Sequence, residues 1–205
     1  AFEADNPRDS TRSIAHRWLG NAYWQLDDFP AAERELRLSI ALSREQTELR
    51  DYGVGAGHTG IGQALLRAGR YKEAEAELLQ ARSIFETTMG ARSRQVALVL
   101  SELGLAQHQL GRAADARASL DAGLAIPDPS RMIGNAGGRL NVALAQVAVD
   151  EGRLDEALSR LNAMVARWEE QPSPIWVSVL VDRAHVESLL GRHDAALADL
   201  KRALP

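Results

Sequence analysis

At 205 residues and 22.3 kDa, the chain has the length of one ordinary domain or one elongated array. It carries 34 Ala and 28 Leu, only 5% aromatics and no cysteine. That composition favours helix over sheet and excludes disulfides, thiolate metal sites and a Cys nucleophile. A formal net charge of −4 argues against a general binder of nucleic acid or of anionic membranes. No apolar run approaches the ~18 residues that a membrane span needs. The opening Ala1-Phe2-Glu3-Ala4-Asp5-Asn6-Pro7 reads as neither a signal peptide nor a natural start, and suggests a piece of a longer protein or a trimmed product.

Apolar residues recur three or four apart, which predicts amphipathic helices throughout. In chain order these fall near 10–26 and 30–48, 52–67 and 71–88, 93–109 and 113–125, 131–150 and 154–169, and 174–189 and 193–204. Residues 1–9 are expected to fray. Breakers at 87–90, 126–130 and 170–174 contain Pro or Gly and separate the pairs. Each pair is a helical hairpin, giving five units near 10–50, 51–90, 91–130, 131–171 and 172–205 in a single repeat domain.

The repeat is visible in the letters. Gly69-Arg70, Gly111-Arg112, Gly152-Arg153 and Gly191-Arg192 are spaced 42, 41 and 39 apart, and one period upstream stands Asp27-Asp28. Behind each turn comes an alanine column, Ala32, Ala74, Ala116, Ala157 and Ala196, then a leucine column, Leu36, Leu78, Leu120, Leu161 and Leu200. Ahead of each turn stand Gly20, Gly62, Gly104, Ala145 and Ala184, preceded by Leu19, Ile61, Leu103, Leu144 and, exceptionally, Arg183. The turn glycines suit the left-handed conformation just past a helix end.

With Trp18-Leu19-Gly20-Asn21-Ala22-Tyr23, Phe29, Ala32 and Leu36, and again Ile61-Gly62, Gly69-Arg70-Tyr71, Ala74, Leu78 and Ala81, the chain resembles the tetratricopeptide repeat over residues 10 to 205. The family's early Trp is replaced by His16, His58, Leu100, Asn141 and Leu180. The period exceeds the usual 34 by about two helical turns, as in the longer repeats of kinesin light chains and bacterial regulators. The resemblance implies an all-α, right-handed α-α superhelical solenoid of five helical hairpins whose first helices line a concave face. The residues it places on that face are Arg17, Asn21 and Trp24, then Thr59, Gln63, Leu66 and Arg67, then Ser101, Leu105 and His108, then Val142, Gln146 and Val149, and finally Val181, His185 and Ser188. Its polar members, Arg17, Asn21, Thr59, Gln63, Arg67, Ser101, His108, Gln146 and His185, with Trp24, are the candidate groove. Amides there can bond an extended main chain, and Trp24 either anchors a guest or packs over the next hairpin. The carboxylate clamp of co-chaperone members is excluded, because Gly60, Leu98 and Glu102 stand where it needs Asn, Lys and Arg.

Gly55-Ala56-Gly57-His58-Thr59-Gly60 spells a dinucleotide fingerprint but lacks the preceding strand; close packing or a loosened helix start is the better reading. His16 and His58 share one repeat column, which points to packing rather than metal binding. No catalytic constellation, cofactor site or metal site is expected. The functional expectation is a non-enzymatic interaction scaffold holding a peptide or partner helix. The alternative is a sensory or regulatory module of a larger bacterial signalling protein, such as a Ser/Thr kinase or transcription regulator. Self-association through the terminal repeats is a third expectation, since Leu204-Pro205 brings no polar cap.

Overall fold

In the computed structural model residues 7–46, 50–127, 135–170 and 176–204 are described, and they are all-α. The helices are α1 (Pro7–Gln25), α2 (Phe29–Arg44), α3 (Arg50–Arg67), α4 (Tyr71–Met89), α5 (Arg94–Gln109), α6 (Ala113–Ala125), α7 (Asn135–Asp150), α8 (Leu154–Glu170), α9 (Trp176–Leu189) and α10 (His193–Ala203). They pack in consecutive pairs, the hairpins that the period predicts. Three expected boundaries move. The first helix begins at Pro7, so residues 7–9 are helical rather than frayed, and α2 stops at Arg44 rather than near 48. The supposed breaker at 87–90 acts only at its glycine: α4 runs to Met89, with the Thr87 and Thr88 hydroxyls donating to the carbonyls of Ser83 and Ile84, and Gly90 ends it at φ +86°. The breaker residues 128–130 and 171–174 lie outside the described residues.

The chain forms two compact units, 1–126 with α1–α6 and 127–205 with α7–α10. All five hairpins turn the same way. The amide three residues past the first helix bonds five residues back (Arg70 to Leu65, Arg112 to Gln107, Arg153 to Ala148, Arg192 to Glu187), and the intervening glycine sits at φ near +73° to +75°. In the first hairpin Asp28 bonds Tyr23 in the same manner, and Asp27 itself takes the left-handed position at φ +59°. Aspartate tolerates that region better than most residues, and Asp28 adds a side-chain cap to Ala31.

The ladder is the core. Ala32, Ala74, Ala116, Ala157 and Ala196 are all buried, as are Leu36, Leu78, Leu120 and Leu161. Leu36 joins Val54, Ile61 and Leu65 of the next hairpin, Leu78 joins Val96, Val99 and Leu103, and in the second unit Leu161 joins Val179 and Leu180. Leu36, Leu78 and Leu161 thus tie their hairpins to the following ones within each unit. Leu200, which no described helix follows, is 42% exposed. At the other limit Leu19, which no described hairpin precedes, is 43% exposed, whereas Ile61, Leu103 and Leu144 of the same column are buried.

Within a hairpin the helices meet at the glycine column. A Cβ on Gly20, Gly62 or Gly104 would lie 2.6, 2.6 and 2.5 Å from Cγ of Leu36, Leu78 and Leu120. Similar contact explains the glycine cluster in α3: a Cβ on Gly57 would meet Ile40 Cγ1 at 2.4 Å, and one on Gly55 would meet Phe85 Cε1 at 2.8 Å. The cluster lies inside one helix and admits neighbouring side chains.

Two polar patterns also follow the period. Arg70 grips Glu73 of its own helix (2.6 Å) and Glu33 of the preceding hairpin (3.0 Å); one period on, Arg112 grips Asp115 (2.7 Å) and Glu75 (2.8 Å). Their arginines are 45% exposed, so each pair adds little stability. Inside the hairpins, His16 Nδ1 meets Glu35 at 2.8 Å and His58 Nδ1 meets Glu77 at 2.6 Å. The corresponding residues of the fourth hairpin, Asn141 and Arg160, are bonded as well, at 3.2 Å. The shared histidine column is therefore a clasp between paired helices.

Candidate functional site

α1 touches α3 and α3 touches α5, so the first helices of unit 1 stand side by side. Where they meet lies an open cavity of about 290 Å³. Its lining follows a helical stripe along α3, Tyr52, Ala56, Thr59, Gly60 and Gln63, flanked by Arg17, Trp18 and Asn21 of α1 and by Gln95 and Leu98 of α5. Phe85 of α4 closes one side, its ring centroid 6.1 Å from that of Tyr52. Small residues at Ala56 and Gly60 leave the floor low.

The charge pattern is one-sided: among the described residues Arg17 is the only ionised side chain on the lining, and none is a carboxylate. Its guanidinium lies 5.8 Å over the Tyr52 ring and has no ion pair among the described residues. The Asn21 and Gln95 amides likewise have no protein partner among the described residues. Thr59 is turned inward, its hydroxyl donating to the carbonyl of Gly55 (2.9 Å), and Gln63 donates to the buried carboxylate of Glu102 (3.0 Å). Arg17, Asn21 and Gln95 are thus the polar groups facing the cavity with bonding capacity to spare.

Four of the ten candidate groove residues line this cavity: Arg17, Asn21, Thr59 and Gln63. Trp24 is engaged elsewhere, its indole N–H donating to the main-chain oxygen of Gln63 (3.3 Å) while Arg67 covers its ring at 5.5 Å. Arg67 also pairs with Asp27 (2.9 Å), so Trp24, Arg67 and Asp27 form a latch between the first two hairpins. Ser101 is buried in α5 with no bond to its hydroxyl among the described residues, and His108 is half-buried in the last turn of the same helix. Gln146 of α7 is half-buried and His185 of α9 is exposed, both in unit 2.

Sequence reasoning did not place Trp18, Tyr52, Ala56, Phe85, Gln95 or Leu98 in the lining. Repeat positions copied from a shorter period omit the first turns of α3 and α5, where Tyr52 and Gln95 stand. The usable signal was the 52, 56, 59, 63 stripe, which keeps one face of a helix over its full length.

Helical hairpins that bury one another's ladder within each unit, with the first helices of unit 1 left open as a row, define a helical repeat protein of the interaction-module class. Three family models described as "Tetratricopeptide repeat" match residues 53–127, 19–86 and 139–163. The chain belongs to the tetratricopeptide-repeat family. Among solved structures it resembles BtubC (BKLC) from P. vanneervenii, with a TM-score of 0.80, 17% identity, and coverage of 97% of this chain and 81% of that one. It also resembles a putative kinesin light chain with nearly identical TPR-like repeats from Podosopora anserina (TM-score 0.71, 20% identity, 97% and 95% covered). Aspartyl phosphate phosphatase F from Bacillus subtilis is a third such structure (TM-score 0.71, 12% identity, 95% and 59% covered). At these identities the likeness is one of fold. A search of curated protein sequences gives no match. The fold is generally a non-enzymatic scaffold, and among the described residues no helix is long and apolar enough to cross a membrane.

Proposed function

We propose that the chain is a non-enzymatic scaffold whose first unit holds a segment of another protein along the face of α1, α3 and α5. The observation that carries this reading is the set of unspent polar groups around the cavity. Asn21 and Gln95 stand on opposite sides of the α3 stripe, each able to donate to and accept from a peptide unit. Apolar contact comes from Trp18, 66% exposed, and from Tyr52, Phe85 and Leu98. Amides that bond main chain beside aromatics that bury side chains suit an extended segment or one helix face. The same surface suits a free-standing scaffold or an interaction module inside a longer regulator.

The test is selection of binders from a random peptide library with both ends blocked, using the whole chain as bait. The double variant Asn21→Ala/Gln95→Ala should weaken the selected peptides about tenfold, since two lost hydrogen bonds at about 0.7 kcal/mol each amount to roughly 1.4 kcal/mol. Its thermal melt should match that of the unmodified chain. Equal affinity for the double variant would show that the guest lies elsewhere.

A further inference from the structure

Behind Arg17 and Tyr52 lies a second cavity, of about 80 Å³, set between α1, α2 and the start of α3. Arg17 and Tyr52 line both cavities, so their stacked pair forms the partition between them. The accessible lining is mostly apolar, with Ile14, the Tyr52 ring and Gly53, and Ser13, Ser39, Ser43 and Gln46, all buried, complete it. Most of these groups are occupied: the Ser39 hydroxyl donates to the Ser13 carbonyl (2.7 Å), and the Gln46 amide donates to the Ser13 hydroxyl (3.0 Å). Ser43 is the exception. It is 1% exposed, and its hydroxyl has no partner among the described residues. Gly53 packs directly against it: a Cβ there would lie 2.4 Å from that hydroxyl and 2.8 Å from the Ser43 Cβ. A buried hydroxyl left without a partner is costly, and one beside a cavity calls for an explanation.

We propose that this smaller cavity is a side-chain pocket that takes one aspartate or glutamate of the segment held on the adjoining face. The proposal rests on the groove reading above. At about 30 Å³ per water, the pocket holds roughly two to three water volumes, enough for the carboxylate tip of one side chain and too little for main chain. An arginine with no acidic partner among the described residues stands at its mouth, and an unspent hydroxyl donor belongs to its lining, just beneath the accessible surface. Together they offer a carboxylate a charge-assisted contact and a second hydrogen bond, while Ile14 and the Tyr52 ring cover the methylene stem. A neutral amide would leave the guanidinium without its counter-charge, and a cationic side chain would meet it directly.

The test uses the blocked peptides selected above, so that no terminal carboxylate is present. Selected sequences should share an acidic residue at one position, and replacing it by its amide should weaken binding about tenfold. In Arg17→Gln this acid-over-amide preference should fall to near unity, and in Ser43→Ala to about threefold. Ser43→Ala should also melt at or above the temperature of the unmodified chain, because it removes a buried hydroxyl without a partner. Selection of peptides with no common acid, or an unchanged preference in both variants, would overturn the pocket while leaving the groove standing. Failure of the whole chain to select any peptide would overturn both.

Discussion

Arg183 breaks a column that otherwise reads Leu19, Ile61, Leu103 and Leu144, so restoring the repeat by Arg183→Leu looks like a stabilising change. The structure predicts the reverse. The Arg183 guanidinium holds Asp199 with two bonds, Nε at 2.5 Å and Nη2 at 2.6 Å, and reaches Asn162 with a third at 3.0 Å. Asp199 is almost wholly buried, and Arg202 is a second cation near it, at 3.5 Å. Glu187 is close by and also buried; its carboxyl is pushed upward by burial first and by the Asp199 charge second, with Arg183 opposing. Removing Arg183 therefore leaves two carboxylates sharing an apolar site. Breaking a buried pair on one side costs about 3–5 kcal/mol, and the apolar surface regained by leucine returns about 1 to 2 kcal/mol, so a net loss of about 2 kcal/mol is expected. Adding Asp199→Ser, which copies Ser119 of the third hairpin, removes the stranded charge and should recover most of that loss. Urea denaturation of the single and double variants at pH 7, followed by far-ultraviolet circular dichroism, measures both. A single variant as stable as the parent, or a double variant no better than the single one, would refute the account.

The clasp between His58 and Glu77 gives a pH-dependent prediction. The hydrogen bond from His58 holds the Glu77 carboxyl below its ordinary 4.5, with burial opposing and Arg37 helping. Stability from this shift is fully present above the ordinary value and is lost as pH falls through the lowered one. His58→Ala should then cost about 1.5 kcal/mol in thermal or urea melts at pH 7, and the gap to the parent should narrow as pH falls below the ordinary 4.5 and through the lowered value; a gap independent of pH would contradict the clasp. At the glycine column, Gly104→Ala gains about 1 kcal/mol of helix propensity but places a Cβ 2.5 Å from Leu120 Cγ and 3.2 Å from the Ala116 carbonyl. Overpacking of this kind costs about 1–3 kcal/mol, so the melting temperature should drop, and a rise would mean that Leu120 moves aside freely.

The ladder was legible because it is an order imposed on every unit alike. Each hairpin must bury an alanine where its helices cross and a leucine against the next hairpin, and both demands recur at the period of the chain. Turn glycines were legible for a similar reason, since a left-handed residue past a helix end admits few side chains. Asp27 shows how this signal can be hidden, because aspartate reaches the same conformation that Gly69 and Gly111 adopt. The His–Glu clasp was half visible. The histidine column could be read, but its partners stand 19 residues further on in another helix, and only the hairpin geometry makes them neighbours.

The cavity was harder to read because it depends on what the ladder leaves unused. Arg17 and Asn21 followed from repeat position, whereas Tyr52 and Gln95 stand in helix turns that a shorter repeat does not have. Trp24 shows why residue type misleads on such a scaffold: an indole on the first-helix face makes a good anchor for a guest and equally good cement between hairpins. Its N–H bond to Gln63 and the cover of Arg67 show it in the second use. Arg17 is of the same residue class as Arg67 and stands on the same row of helices, yet Arg67 spends its charge on Asp27 while Arg17 meets no acid among the described residues. What separates a residue that holds the array together from one that can hold a guest is the presence of an internal partner. That property belongs to the three-dimensional neighbourhood and is not written in the column where the residue stands.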